Sequence, residues 1–408
     1  LTNSSPRGKE RSLKIWKTLK NKTVLLGVSG GIAAYKSIDL VRRIKDEGAS
    51  VSVVMTDAAR HFVTPLSLQT ASQNTVYTSL FDHPLAHIRL PSEADLMVVA
   101  PATANIIAKF ANGIADDLLS TCFLAFRGTA VIAPSMNWRM YENPYFRENL
   151  SKLVSSGIIQ VGPEKGDLAC GEKGKGRMAE VPEILETIKG ALSLKDLAGE
   201  KIVVTAGPTR EYLDPVRFIS NRSSGKMGFA LAREARDRGA GVVLISGPST
   251  LGRPSGVDFV GVETAEEMLG AVEKEMYKGA SVLIMAAAVS DFGPAETSSG
   301  KLEKGGGLAL KLRPTADIVS TIAGRRKRPF IIGFAAETGK NINRAKKKMT
   351  DKGMDMVVFN DVTEPGAGFD VDTNRVVIID GRGETRCDLM SKEQVAEAVI
   401  DRLVEMKT

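Results

Sequence analysis

Cysteine, histidine and aromatic residues are scarce in this chain: 408 residues carry three cysteines, three histidines and 5% aromatics. Cys122, Cys170 and Cys387 stand far apart with no CxxC pair. That excludes a disulfide framework and a cysteine zinc site, and it fits a reducing, cytoplasmic compartment. His61, His83 and His87 are the whole supply of imidazole. No apolar run approaches the ~18 residues of a membrane span, so no integral membrane protein is expected. A Walker A loop is absent. The one GxGxxG-like run, Gly174-Lys175-Gly176-Arg177-Met178-Ala179, follows no strand, which excludes a dinucleotide fingerprint and an ordinary nicotinamide dehydrogenase.

The net charge of +7 is concentrated at the start of the chain, where Arg7, Lys9, Arg11, Lys14, Lys17, Lys20 and Lys22 face the single acid Glu10. The body is therefore close to neutral and poor in aromatics, so it lacks a nucleic-acid surface. Residues 1–21 have no long apolar core or small-residue cleavage site and read as a disordered or weakly helical basic extension rather than a secretory signal.

Beyond it, short continuous apolar runs alternate with helical patterns. They are Val24–Val28, Val51–Met55, Leu96–Ala100 and Ala130–Ala133, then Ile202–Thr205, Val242–Ser246, Val282–Ala286, Phe330–Phe334, Met356–Asn360 and Arg375–Asp380. Runs without polar alternation suit strands buried on both faces of a parallel sheet. The pattern of strand, Gly/Ser loop, helix and strand starts twice. The expected architecture is therefore α/β, with two Rossmann-like domains over 22–195 and 196–408. Two glycine-rich segments, Gly162–Met178 and Phe292–Gly307, are too long for tight connections and read as flaps. Each holds one chemically capable side chain, Cys170 and Lys301.

In the first half, Ser29-Gly30-Gly31 between a strand and a helix suits an anion, because glycines admit close approach and the helix start offers free N–H groups. A strand ending in Pro101-Ala102-Thr103-Ala104-Asn105 follows, then Pro134-Ser135-Met136-Asn137-Trp138-Arg139 and Ala169-Cys170-Gly171-Glu172. In order and spacing this set resembles the flavin-dependent cysteine decarboxylases, and in particular the decarboxylase half of the bifunctional phosphopantothenoylcysteine decarboxylase/phosphopantothenate–cysteine ligases of coenzyme A biosynthesis. The resemblance implies a flavodoxin-like flavoprotein domain binding FMN. It assigns Ser29, Gly30 and Gly31 to the FMN phosphate, Ala102, Thr103 and Asn105 to the flavin site, His87 to the active-site histidine, Asn137 to the substrate carboxylate and Cys170 to completing the reaction from a mobile flap. A histidine titrating near neutrality suits the proton handling. Lys173 and Lys175 beside Cys170 favour its thiolate.

In the second half, Asn221-Arg222-Ser223-Ser224-Gly225-Lys226 opens a helix and makes an anion cradle. With Ala286–Phe292, Gly333–Thr338, Asn360-Asp361-Val362 and Gly368–Asn374, it resembles the ligase half of the same family. That resemblance implies activation of 4′-phosphopantothenate by CTP as an acyl-cytidylate, then attack by the amine of cysteine, with Mg²⁺ neutralising the triphosphate and metal ligands unassigned. Asn221 matches the asparagine that stabilises the intermediate. Lys301 matches the first lysine of a Lys-x-Lys-Lys loop that the family needs for the second, amide-forming half-reaction; here the loop reads Lys301-Leu302-Glu303-Lys304, with glutamate at a position the family often fills with lysine. Ser223, Ser224, Gly225, Asp291, Phe292, Phe334 and Lys304 fall in the expected CTP site. The family further implies homo-oligomers, with trimers of decarboxylase domains, dimers of ligase domains and dodecamers. Some relatives are non-catalytic flavoprotein regulators with acidic tails; this chain has no such tail and keeps His87 and Cys170.

Overall fold

The computed structural model describes residues 19–81, 83–167, 172–303, 309–339, 341–368 and 371–407. The first four apolar runs form β1 (Thr23–Val28), β2 (Ser50–Met55), β4 (Leu96–Ala102) and β5 (Thr129–Pro134), and two short strands, β3 (Val76–Tyr77) and β6 (Ile159–Gln160), flank them. They pair in parallel in the order β3-β2-β1-β4-β5-β6, which is the doubly wound Rossmann order. Successive residues of a strand face opposite ways. Val24, Leu26 and Val28 join a core with Leu40, Val41 and Ile44. Leu25 joins another with Ile106, Phe110 and Leu119. Helices thus cover both faces of the sheet, and the strands are apolar throughout for that reason.

Of the expected basic extension, residues 1–18 lie outside the described residues. Leu19 is buried at 1% exposure, and its N–H donates to Glu47 O at 3.0 Å. The ordered domain therefore includes Leu19, ahead of the expected start at residue 22, because an apolar side chain in the basic run packs onto the core.

The described residues of the first glycine-rich segment form an antiparallel pair, β7 (Glu164–Asp167) with β8 (Lys173–Arg177). Its glycines permit close contact with the neighbouring loop: a Cβ on Gly176 would lie 2.2 Å from Met136 O, and one on Gly174 2.5 Å from Trp138 Cβ. The hairpin thereby lies flat on the Met136–Trp138 loop.

The second unit comprises the described residues from Leu194 onward, the first those up to Ser193. Its elements begin with β9 (Lys201–Ala206), the small hairpin β10 (Arg210–Tyr212) and β11 (Phe218–Ser220), β12 (Gly241–Ser246), β13 (Asp258–Gly261) and β14 (Val282–Met285). A hairpin of β15 (Phe292–Pro294) and β16 (Leu312–Pro314) follows, then β17 (Phe330–Glu337), β18 (Met356–Asp361), β19 (Thr373–Asn374), β20 (Val376–Asp380), β21 (Gly383–Arg386) and β22 (Met390–Ser391). The main sheet runs β13-β12-β9-β14-β17-β18-β20-β21. It is parallel as far as β18; β20 and β21 add an antiparallel edge. Helix Lys226–Asp237 packs closely on β9, since a Cβ on Gly228 would stand 2.7 Å from Thr205 O.

Candidate active sites

In doubly wound sheets ligands sit beyond the strand ends where the order reverses. In the first unit that point lies between β1 and β4, and the side chains following these strands are tied together there. Ser29 Oγ donates to Pro101 O at 2.8 Å and accepts from Thr103 N at 3.0 Å. Thr103 in turn caps helix Ala104–Asn112. A Cβ on Gly30 would lie 2.4 Å from Ala58 Cβ and 2.7 Å from its carbonyl carbon, so only glycine fits. Above these residues opens a cavity of about 950 Å³. Ser29, Gly30, Gly31, Thr103, Asn105 and Asn137 line it, with Ile32, Ile106, Met136, Met140 and Met178 as its apolar wall.

Charges around this cavity are matched. Lys36 Nζ pairs with Glu180 at 2.9 Å, and that bond with Lys36, opposed by partial burial, holds the Glu180 carboxyl below its usual range. Burial pulls Lys109 down, but Asp116 at 2.7 Å and Asp117 at 2.8 Å outweigh it and raise its pKa. Asn137 caps helix Trp138–Glu142, its Oδ1 accepting from Arg139 N at 2.8 Å. Glu172 clamps the hairpin over this loop by accepting from Trp138 Nε1 at 2.7 Å and from Arg139 at 2.6 Å.

His87 lies on helix Ala86–Glu93, half-buried, and is not among the lining residues; its Nδ1 is buried without a hydrogen-bond partner among the described residues. Ala102 is fully buried within β4 and does not line the cavity either. Cys170 lies outside the described residues. Cys122 is a core residue whose thiol burial pushes up to about 12.

The second unit repeats the arrangement between β9 and β14. Gly207 O accepts from Ala288 N at 2.9 Å and Thr209 Oγ1 from Ser290 N at 3.0 Å, which pins Ala286–Ser290 open beside the strand end. A cavity of about 620 Å³ lies there. Asn221, Ser223, Ser224, Gly225, Asp291 and Phe334 all line it. Asn221 Nδ2 donates to Val289 O at 2.9 Å. Gly225, at φ +82°, turns the chain into helix Lys226–Asp237. Phe292 is not among the lining residues and is 53% exposed on the β15–β16 pair. Lys301 is exposed and outside the lining, while Lys304 lies outside the described residues.

The sequence reading missed several residues of this cavity. Lys348 and Lys352 reach it from one face of helix Ile342–Asp351 and its C-cap, four residues apart. Their i,i+4 spacing in a lysine-rich helix was the available signal. Lys352 pairs with Asp317 at 2.9 Å; despite burial, this bond and the Ser320 N–H hold the Asp317 carboxyl low. Among the described residues no group of three or more His, Cys, Asp or Glu is arranged to hold a metal.

Known proteins match both units. The flavoprotein family matches residues 14–193, and the family described as DNA/pantothenate metabolism flavoprotein C-terminal domain matches 197–406. The coenzyme A biosynthesis bifunctional protein CoaBC of Bacillus subtilis is 43% identical, covering 95% of this chain and 98% of its own. That of Escherichia coli is also 43% identical, over 95% and 98%. The chain belongs to the bifunctional CoaBC family.

It is therefore a phosphopantothenoylcysteine decarboxylase and phosphopantothenate–cysteine ligase of coenzyme A biosynthesis, with a flavoprotein domain first. Among solved structures, one titled the FMN binding protein AtHal3 is 35% identical over 42% of this chain and 97% of its own, with a TM-score of 0.38. Among the described residues, no helix of the chain is long and apolar enough to cross a membrane.

Proposed function

We propose that the 950 Å³ cavity holds FMN and the 620 Å³ cavity holds CTP with 4′-phosphopantothenate, in a cytoplasmic homo-oligomer. Gly30 carries the first part of this reading, because a loop that excludes even a Cβ beside the Ser29 hydroxyl suits a phosphate approaching the backbone. The apolar methionine wall suits a flat ring, and the volume lies in the range of cofactor sites. When bound, FMN supplies a two-electron sink for the substrate thiol, which makes loss of carbon dioxide feasible.

The chain's own residues do the rest. Asn137, which lines the cavity and caps the helix that follows through its Oδ1, meets the substrate carboxylate. The β7–β8 hairpin, clamped by Glu172, covers the reacting carbon and excludes water, and Cys170 between its strands delivers the last proton. His87 does not line the cavity of its own chain. In the oligomer a second copy's histidine would meet that cavity, and the exposed apolar side chains Leu85 and Ile88 flanking it suit burial there.

In the ligase, a carboxylate is a poor acyl donor because oxide leaves badly. CTP converts it to an acyl-cytidylate, releasing pyrophosphate, and the amine of cysteine displaces CMP. Lys348 and Lys352 balance phosphate charge, Ser223–Gly225 offer the cradle, and Asn221 holds the activated acyl group. Mg²⁺ enters on the triphosphate, keeping waters as ligands rather than a protein cage.

The test supplies 4′-phosphopantothenate, cysteine and CTP to the purified protein and follows pyrophosphate and carbon dioxide together. Release of both, from a protein with flavin absorption, is expected. A colourless protein after reconstitution with FMN and inert toward CTP overturns the reading.

A further inference from the structure

The β10–β11 hairpin and the segment bearing Lys301 are joined by one buried carboxylate. Asp214 is 0% exposed. Its Oδ1 accepts from the N–H groups of Val216 and Arg217, both at 2.7 Å, and so shapes the turn that leads through β11 to Asn221. Its Oδ2 accepts from Leu302 N at 3.1 Å, across 88 positions of sequence. Arg217 NH1 stands 3.5 Å from the same oxygen. The strap is continued by Ser298 N donating to Leu213 O at 2.9 Å and Thr297 Oγ1 to Tyr212 O at 3.1 Å.

A buried charge is retained only where donors meet it, and here the backbone of two separate segments supplies them. Leu302 follows Lys301 directly. Lys301 itself is exposed and outside the cavity's lining, so where its ammonium can reach depends on where its backbone is anchored.

We propose that Asp214 is a positioning residue of the ligase: it latches the Lys301 segment to the hairpin leading to Asn221, and so sets the geometry of the amide-forming half-reaction. The proposal rests on the reading of Lys301 as the lysine of that step. Acyl transfer needs the amine, the acyl carbon and the lysine in register, and misplacement by about 1 Å is costly there. On that reading, activation by CTP does not use the lysine.

Two variants of the full-length enzyme break the latch from opposite sides. Asp214→Asn keeps the shape but turns an N–H toward Leu302 N, whereas Leu302→Pro removes the donor and leaves the hairpin intact. Each is expected to slow transfer from acyl-cytidylate to cysteine by at least about tenfold, with the pyrophosphate burst without cysteine and the decarboxylation of added phosphopantothenoylcysteine unchanged. Combined, they are expected to be no slower than the worse single variant, as for groups acting through one bond. Full additivity, a parallel fall in the burst, or normal transfer in Asp214→Asn overturns the proposal. Lys301→Gln separates the two readings. If it transfers slowly while Asp214→Asn is normal, the latch alone falls; if it transfers normally, the assignment of Lys301 falls and the latch with it.

Discussion

Ser29 and Thr103, at the ends of the two central strands of the first sheet, share one hydroxyl: Ser29 Oγ accepts from Thr103 N and lies 3.2 Å from Thr103 Oγ1. The loop after β1 and the helix start after β4 are therefore one rigid edge. Gly30 sits on that edge against Ala58, and a methyl there strikes backbone rather than a movable side chain. Gly30→Ala is expected to displace the loop, to cost about 1–3 kcal/mol of stability, and to abolish flavin retention. Absorption of the purified protein and of its heat-released flavin checks this; full flavin occupancy in the variant contradicts it.

Asn221 donates to Val289 O, which ties the anion cradle to the pinned Ala286–Ser290 stretch. Asn221→Asp sets a carboxylate against that carbonyl and adds negative charge where a polyanion must bind. Ligation should fall by two or more orders of magnitude, roughly what the loss of one preorganised donor costs, with decarboxylation of added phosphopantothenoylcysteine intact. Loss of both activities together would show that the halves do not act independently.

Glu172 holds the β7–β8 hairpin to Trp138 and Arg139. Glu172→Ala removes the clamp and leaves Trp138 Nε1 short of an acceptor. Decarboxylation is expected to slow by about tenfold, from looser closure over the site, with CTP-dependent pyrophosphate release unchanged. Equal rates in variant and parent would mean that the glycine contacts on Met136 and Trp138 suffice to hold the hairpin.

Every apolar run read as a strand became one, because residues buried on both faces of a sheet leave a short, unbroken apolar stretch. Strand order was not legible: β3 and β6 are two residues each and carry no period. The antiparallel direction of β20 was hidden for a related reason, since an apolar run does not state its direction and the hairpin to β21 closes through Asp380-Gly381-Arg382-Gly383. The glycine-bearing loops that line the two cavities were legible because glycine leaves a chemical signature. Lys352 and Asp317 were not, because their meeting across 35 residues depends on the packing of two helices. His87 was named by motif, yet its own chain leaves it outside the cavity.

The last expectation concerns pH. Helices Lys226–Asp237 and Lys392–Lys407 pack together around Glu234, whose carboxyl burial pushes up to about 7, aided by Glu397, Asp237 and Asp401 and opposed by Arg238. Arg238 is itself buried and paired to Asp196 and Asp401. In the folded protein Glu234 therefore keeps its proton to higher pH than in the unfolded chain, where carboxyls titrate near ~4.3. Between those values the folded state binds more protons, so this group's contribution to stability falls as pH rises and levels off above about 7. Glu234→Gln removes the titration while keeping the shape. The variant and parent should unfold alike near pH 4, and at pH 8 the variant should be more stable by about 3–4 kcal/mol, the size of such a shift. Denaturant titrations at the two pH values decide it. A parent as stable as the variant at pH 8 would mean that Arg238 holds Glu234 ionised and that the carboxylate is compensated in place.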